Sequence, residues 1–271
     1  MKKIALTSLL AVFAAAGANA ANTMDGNPLY MPQKGHFYSV TELASETERT
    51  NVAALGEEFG YGITDRLAID VKTSVAEKDW FDDNMWDELG ADLKWRVIGD
   101  GAWKLDLVGG FEMAPIWADH NPHVSFMDKD ATMYTWMAGV RGGYMTEDWT
   151  LSAHANFLYL NTEAFNWKED DAMYDGEEFW ANHAMNLGVA GHWTMSDRWS
   201  AVASADYYKV LDHYNEAGND GWWTIAAGLN MNIDDTKYVG AYVTKDIEHE
   251  AAGEWVVQDG FGFGVKFGID F

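Results

Sequence analysis

The C-terminal residues Phe261, Phe263, Val265, Phe267, Ile269 and Phe271 alternate strictly with Gly262, Gly264, Lys266, Gly268 and Asp270. A two-residue period sends one set of side chains to one face of an extended strand and the other set to the opposite face. The same pattern recurs upstream. Leu67, Ile69, Val71 and Val75 alternate with Arg66, Ala68, Asp70, Lys72 and Ser74, and Leu89, Ala91, Leu93, Trp95 and Val97 with Gly90, Asp92, Lys94 and Arg96. Trp103, Leu105, Leu107 and Phe111 stand against Lys104, Asp106 and Glu112; Trp149, Leu151, Ala153, Phe157 and Tyr159 against Ser152, His154 and Asn156. Met185, Leu187, Val189 and Trp193 oppose Asn182, Asn186 and His192, and Trp223, Ile225, Leu229 and Met231 oppose Thr224, Asn230 and Asn232. Strands of about ten residues match a tilted crossing of a bilayer, whereas globular strands average five or six.

Between these runs a short polar phrase returns: Thr64-Asp65-Arg66, Gly99-Asp100-Gly101, Thr146-Glu147-Asp148, Ser196-Asp197-Arg198 and Asp234-Asp235-Thr236. Such residues close tight hairpins. Longer acidic and aromatic connections are expected at roughly 45 to 51, 76 to 87, 114 to 131, 161 to 179, 209 to 221 and 247 to 258. Five short and six long links predict about twelve antiparallel strands with both termini on the short-turn side. The sequence therefore predicts an all-β fold, a transmembrane up-and-down β-barrel with short periplasmic turns and longer extracellular loops.

The aromatic content, 14 Trp, 12 Tyr and 13 Phe, fits this architecture. Trp95, Trp103, Tyr144, Trp149, Trp193 and Trp199 bracket short turns, while Trp80, Trp86, Trp117, Trp180, Tyr207, Trp222 and Trp255 sit near the long links. Two interfacial belts are expected from them, because amphipathic rings settle at the membrane–water boundaries. A formal charge of −25 argues against nucleic-acid binding, which needs a basic surface. The lack of cysteine excludes disulfides, thiolate zinc sites and a cysteine nucleophile.

At the N-terminus, Lys2 and Lys3 precede an apolar stretch from Ile4 to Ala16, followed by Ala18-Asn19-Ala20. The three parts of a secretory signal peptide are present, with cleavage expected after Ala20. Domain boundaries follow: residues 1–20 as signal peptide, 21–34 as a periplasmic segment and 35–271 as the barrel.

With these features the chain resembles a Gram-negative outer-membrane β-barrel protein over residues 35–271. The resemblance implies residence in the outer membrane, in contact with lipid and lipopolysaccharide. It also implies insertion by the barrel-assembly machinery, for which Phe267, Ile269 and Phe271 resemble the C-terminal signal, although Lys266 occupies its usual glycine position.

The face opposite the apolar one carries both charge signs, and Asp70, Lys72, Asp92, Lys94, Arg96, Lys104, Asp106, Glu112, Arg141, Asp206 and Lys266 are expected to line the lumen. They either border a water-filled path or pair across strands to fill a narrow barrel. The inward glycines of the last strand leave space and favour a cavity.

Ser152, His154 and Asn156 share one face and form a Ser, His, Asn set like that of the barrel phospholipases. Those enzymes, however, carry His-x-Ser on the lipid side, whereas here Ser-x-His is expected to face inward. No catalytic residue, metal site or cofactor is assigned. Loop acids and histidines such as Asp82, His120, His123 and Glu169 to Asp171 read as a solvated rim rather than a calcium loop. The leading expectation is a monomeric, passive, porin-like channel for small hydrophilic solutes with a weak cation preference, and not an enzyme. The alternatives are a lipid-modifying barrel enzyme and a structural or surface-interaction barrel with a plugged lumen.

Overall fold

The structure, a computed structural model, describes residues 26–46, 53–78, 83–115, 132–162, 183–211, 221–248 and 261–271. Twelve strands run in chain order: β1 Phe37–Glu46, β2 Ala53–Thr64, β3 Leu67–Lys78, β4 Asp83–Ile98, β5 Trp103–Pro115 and β6 Thr132–Met145. They continue as β7 Trp149–Thr162, β8 His183–Ser196, β9 Trp199–Val210, β10 Gly221–Asp234, β11 Lys237–Glu248 and β12 Phe261–Asp270. Each pairs antiparallel with its neighbours in sequence, and β12 returns to β1 from Tyr38↔Asp270 to Glu46↔Gly262. The sheet is thus a closed barrel, as the alternation predicts. The Phe271 N–H donates to the Phe37 carbonyl at 2.8 Å, extending the closing seam one residue beyond β12.

All five short turns fall where the sequence places them, and in four of them a side chain organises the backbone. Thr64 Oγ1 accepts the Arg66 N–H at 3.2 Å, Thr146 Oγ1 the Trp149 N–H at 3.0 Å, Ser196 Oγ the Trp199 N–H at 3.2 Å, and Asp234 Oδ1 the Thr236 N–H at 2.9 Å. Short polar side chains mimic a backbone turn in this way. Gly101 supplies the positive φ of 77° that the fifth turn needs. One connection at the other end is shorter than expected. The strands β3 and β4 continue through most of 76–87, because a register shift at Ser74/Val75 lets Trp86 pair with Val75 and prolongs the ladder. Asp83, Asn84, Asp87 and Glu88 flank Met85 and Trp86 in adjacent pairs and not in alternation, which hides that strand from a reading by a two-residue period.

The outer surface is apolar: Leu93, Leu107, Leu151, Val189, Leu229, Val243 and Val265 are all exposed. At the short-turn end, Tyr144 packs against both Trp103 and Trp149 with ring centroids 5.2 Å apart in each pair. At the far end Phe111 meets Trp136 at 4.6 Å and Tyr207 meets Trp223 at 4.9 Å. Trp222 departs from the expected belt: it points inward, 4% exposed, stacked on Tyr208 at 4.9 Å, and Trp223 takes the outward position. Two adjacent tryptophans on a strand must face opposite sides, and the alternation of Trp223 with Ile225 and Leu229 along β10 puts Trp223 on the outer one.

One carboxyl breaks the apolar band. Glu57 faces outward between exposed Leu55 and Phe59, and accepts hydrogen bonds from Ser39 Oγ and, at 2.6 Å, Thr41 Oγ1. Leu93→Arg, placing a new charge on the lipid face, is expected to destabilise the folded barrel by roughly 2 to 4 kcal/mol. Glu57→Gln should instead leave stability unchanged or raise it, because the amide keeps an acceptor for the two hydroxyls. Urea titration of the barrel refolded into vesicles measures both; a stability loss in Glu57→Gln as large as that of Leu93→Arg would contradict the lipid-facing placement.

Candidate functional site: the barrel interior

The inward faces of β2 to β6 form a charged wall. On it Lys72 Nζ binds Glu88 at 2.8 Å and Glu112 at 2.9 Å. Closer to the short turns Lys94 pairs with Asp70, and the Tyr38 hydroxyl sits between Glu58 at 2.5 Å and Asp70 at 2.7 Å. Below these, Asp106 is fully buried and receives two guanidinium groups: Arg96 Nε at 2.8 Å with Nη2 at 3.1 Å, and Arg141 Nη2 at 2.7 Å. Buried charge persists in this setting only when it is paired and hydrogen-bonded. The wall is therefore a network of ion pairs and hydrogen bonds in which carboxyl groups outnumber cations.

On the neighbouring strands His154 Nε2 lies 2.7 Å from Asn186 Oδ1 and 3.1 Å from Asp206 Oδ1, and Asn156 donates to the same Asn186 oxygen at 3.2 Å. Ser152 Oγ turns to the Ala190 carbonyl at 3.4 Å. All three residues of the Ser, His, Asn set face inward, and the described hydrogen bonds lead Ser152 and His154 to different partners. Asn182 and the loop acids lie outside the described residues. Among the described residues no group of three or more His, Asp or Glu side chains is placed to hold a metal ion.

The opposite wall, β9 to β12 with β1, mixes small side chains with the inward rings of Tyr208, Trp222, Tyr238 and Tyr242. A cavity there is lined by Val40, Val202, Ser204, Ala226, Asn230, Tyr238, Tyr242 and Lys266. Lys266 pairs with Glu42 at 2.8 Å, and the Tyr242 hydroxyl also donates to Glu42.

The inward glycines act differently from the expectation. A Cβ on Gly268 would fall 2.0 Å from the Tyr238 ring, on Gly264 2.4 Å from Tyr242, and on Gly60 1.8 Å from Tyr38. In each case the ring belongs to the residue directly opposite across the strand pair. The glycines are not empty space; they are slots in which a neighbour's large side chain lies flat against the wall. Asp92 over Gly110, Asn156 over Gly139 and Asn230 over Gly240 repeat the arrangement with polar side chains. These side chains lie along the wall and do not point toward the barrel axis.

The structure places Asp70, Lys72, Asp92, Lys94, Arg96, Asp106, Glu112, Arg141, Asp206 and Lys266 on the inner face, with Lys104 at the short-turn end donating to the Gly99 carbonyl. Sequence reasoning missed Glu42, Glu58, Glu88 and Asp246. Adjacent Glu57 and Glu58 show why: the alternation demands that one face inward, and Leu55 and Phe59 beside Glu57, with Gly56 and Gly60 opposite Glu42 and Tyr38, mark Glu58 as the inward one.

No family model matches the chain, and no curated protein matches it either. Solved structures do. The translocator domain of the autotransporter NalP from Neisseria meningitidis superposes with a TM-score of 0.55 at 10% identity, covering 99% of this chain and 98% of that one. The KdgM porin in complex with oligogalacturonate gives 0.53 at 8% identity over 87% and 99%, and an outer membrane channel from Pseudomonas putida F1 gives 0.52 at 10% over 89% and 97%. The chain has the fold of a Gram-negative outer-membrane β-barrel.

The slot geometry makes a sharp prediction within one strand. Gly60→Ala should destabilise the barrel by about 1 to 3 kcal/mol, since its methyl group overlaps Tyr38 and lifts that ring from two carboxyl groups. Gly56→Ala, also inward and with no atom nearer than 3.9 Å, should be close to neutral. Equal unfolding midpoints for the two variants would contradict the slot.

Proposed function

We propose that the protein is a passive, porin-like outer-membrane channel for small hydrophilic solutes, weakly selective for cations. The observation that carries this reading is the interior itself: a wall of ion pairs with an excess of carboxyl groups faces a wall on which a cavity is lined by Val202, Ser204 and Ala226 between tyrosines. A barrel serving only as a scaffold would gain more stability from filling that space with apolar side chains.

The fold shared with the KdgM porin and the Pseudomonas channel supports a transport role. The solute class differs in sign from an oligogalacturonate, which is an acidic polymer. Here Glu42, Glu58, Asp70, Glu88, Asp92, Asp106, Glu112, Asp206 and Asp246 share the interior with Lys72, Lys94, Arg96, Arg141 and Lys266, and the whole chain carries −25. A negative, low-dielectric passage concentrates cations and repels anions.

Planar-bilayer recording under a salt gradient tests the reading. Conductance with a reversal potential displaced toward the cation side is expected. Lys94→Gln removes the positive partner of Asp70 and should increase that displacement. The change should persist at 1 M salt, where the screening length is only about 3 Å, because the pair is in direct contact. Anion selectivity, or silence from a barrel shown by heat-modifiable migration to be folded, would overturn it.

A further inference from the structure

We propose that residues 26–34 form a displaceable strap that closes the short-turn mouth of the lumen, an inference that rests on the channel reading above. Residues 21–34 read from sequence as a periplasmic segment, but from Gly26 onward the chain runs inside the mouth. Leu29 is fully buried, as is Pro28. The segment is joined to the barrel beside β2, where Lys34 bridges to Gly62 and the Gly35 N–H donates to the Gly62 carbonyl at 2.7 Å. From there Tyr30 meets the Tyr38 ring edge-on at 5.7 Å, and the Leu29 carbonyl accepts from Arg96 Nη2 of β4 at 2.6 Å. Asn27 Nδ2 approaches Met145 Sδ of β6 at 3.9 Å, and Gly26 packs on Val202 of β9 and Asn230 of β10. Its contacts thus run from one wall to the opposite one, and Gly26 forms part of the cavity lining.

The attachments are uneven. Gly62 fits so closely beneath Gln33 that a Cβ would fall 2.0 Å from its carbonyl oxygen, which pins the strap's last residues. The rest is held across the mouth by side-chain contacts, among them the Arg96 hydrogen bond to the Leu29 carbonyl, the Tyr30–Tyr38 ring contact, the approach of Asn27 to Met145 and the burial of Pro28, Leu29 and Pro32, and not by a backbone ladder. Much of its order is internal: Asn27 Oδ1 accepts the Leu29 N–H at 3.0 Å, and the Asn27 carbonyl accepts the Tyr30 N–H at 3.0 Å. That local turn can travel with the strap. A strand, by contrast, is laddered to two neighbours.

Gly35, with φ at 82° and open space around it, only carries the chain from the pinned Gln33 and Lys34 into β1, so the strap moves about the residues just N-terminal to Gln33. Arg96 keeps both of its contacts to Asp106 when Leu29 leaves, so opening strands no buried charge. It exposes instead a guanidinium edge toward the passage. Closure leaves the charge pairs in place, and opening removes the segment that spans from β4 to β9.

The chain contains no cysteine, so an introduced pair reports without background. A Cβ built on Gly26 lies 3.6 Å from Val202 Cβ, inside the range of about 3.5 to 4.5 Å seen in disulfides. Gly26→Cys with Val202→Cys, oxidised and then reduced in a planar bilayer, is compared with wild type and with a chain lacking residues 22–33, each shown to be folded by heat-modifiable migration. The oxidised barrel is expected to hold a low conductance, reduction to restore opening events, and the deletion to conduct severalfold more than the locked form. Equal conductance in all forms would overturn the strap while leaving the channel intact. Failure of the pair to oxidise together with wild-type conductance from the deletion would overturn it as well. Silence from every form, the deletion included, would overturn the channel reading itself and the strap with it.

Discussion

Closure of the backbone hydrogen-bond ladder is the constraint from which the rest follows. In a bilayer no water satisfies a free N–H or C=O, so a sheet that crosses must return on itself. The seam between β1 and β12 does this over nine residue pairs, from Tyr38↔Asp270 to Glu46↔Gly262. Once the sheet closes, every strand has one face toward lipid and one toward the axis, and the sequence must satisfy both with alternate residues. The last strand shows the cost: its outward residues are nearly all large and apolar, while its inward ones are mostly glycine because tyrosines of β11 lie across them.

The same closure explains how charge is tolerated inside. Opposed strands bring inward side chains within contact distance across the ladder or one step along it, so a carboxylate and a cation can be written into neighbouring strands and meet by register alone. Arg96↔Asp106 and Asp106↔Arg141 are both direct cross-strand partners, which is why a fully buried aspartate carries two guanidinium groups. Pairs of this kind add little net stability against an apolar filling, but removing one partner strands the other. Retaining them keeps the interior wettable.

Most of the architecture was legible because the two-residue period is a direct consequence of strand geometry and survives sequence divergence. Turns were legible for a similar reason: Thr64, Thr146, Ser196 and Asp234 each perform a local hydrogen bond that needs no tertiary partner. Most of what failed depends on contacts between strands. Closeness to a long link assigns Trp222 to a belt, although the period of Trp223, Ile225 and Leu229 already turns it inward, where it stacks on Tyr208. The inner glycines looked like space because their occupants come from another strand. Residues 26–34 have no period at all, and their place in the mouth is set by contacts with β2, β4, β6, β9 and β10 that no local pattern encodes.

The asymmetry of the lumen ties these points together. Long charged side chains gather on β2 to β6, while on the facing wall Val202, Ser204 and Ala226 leave a cavity bordered by Tyr238, Tyr242 and Lys266. The N-terminal segment uses that difference. It is bonded to the charged wall through Leu29 and rests on the facing wall through Gly26, where any side chain would begin 2.7 Å from Val202 Cγ1. A larger residue at either position would lift the segment from its seat, so the composition of the far wall determines whether the near end of the chain can lie across the mouth.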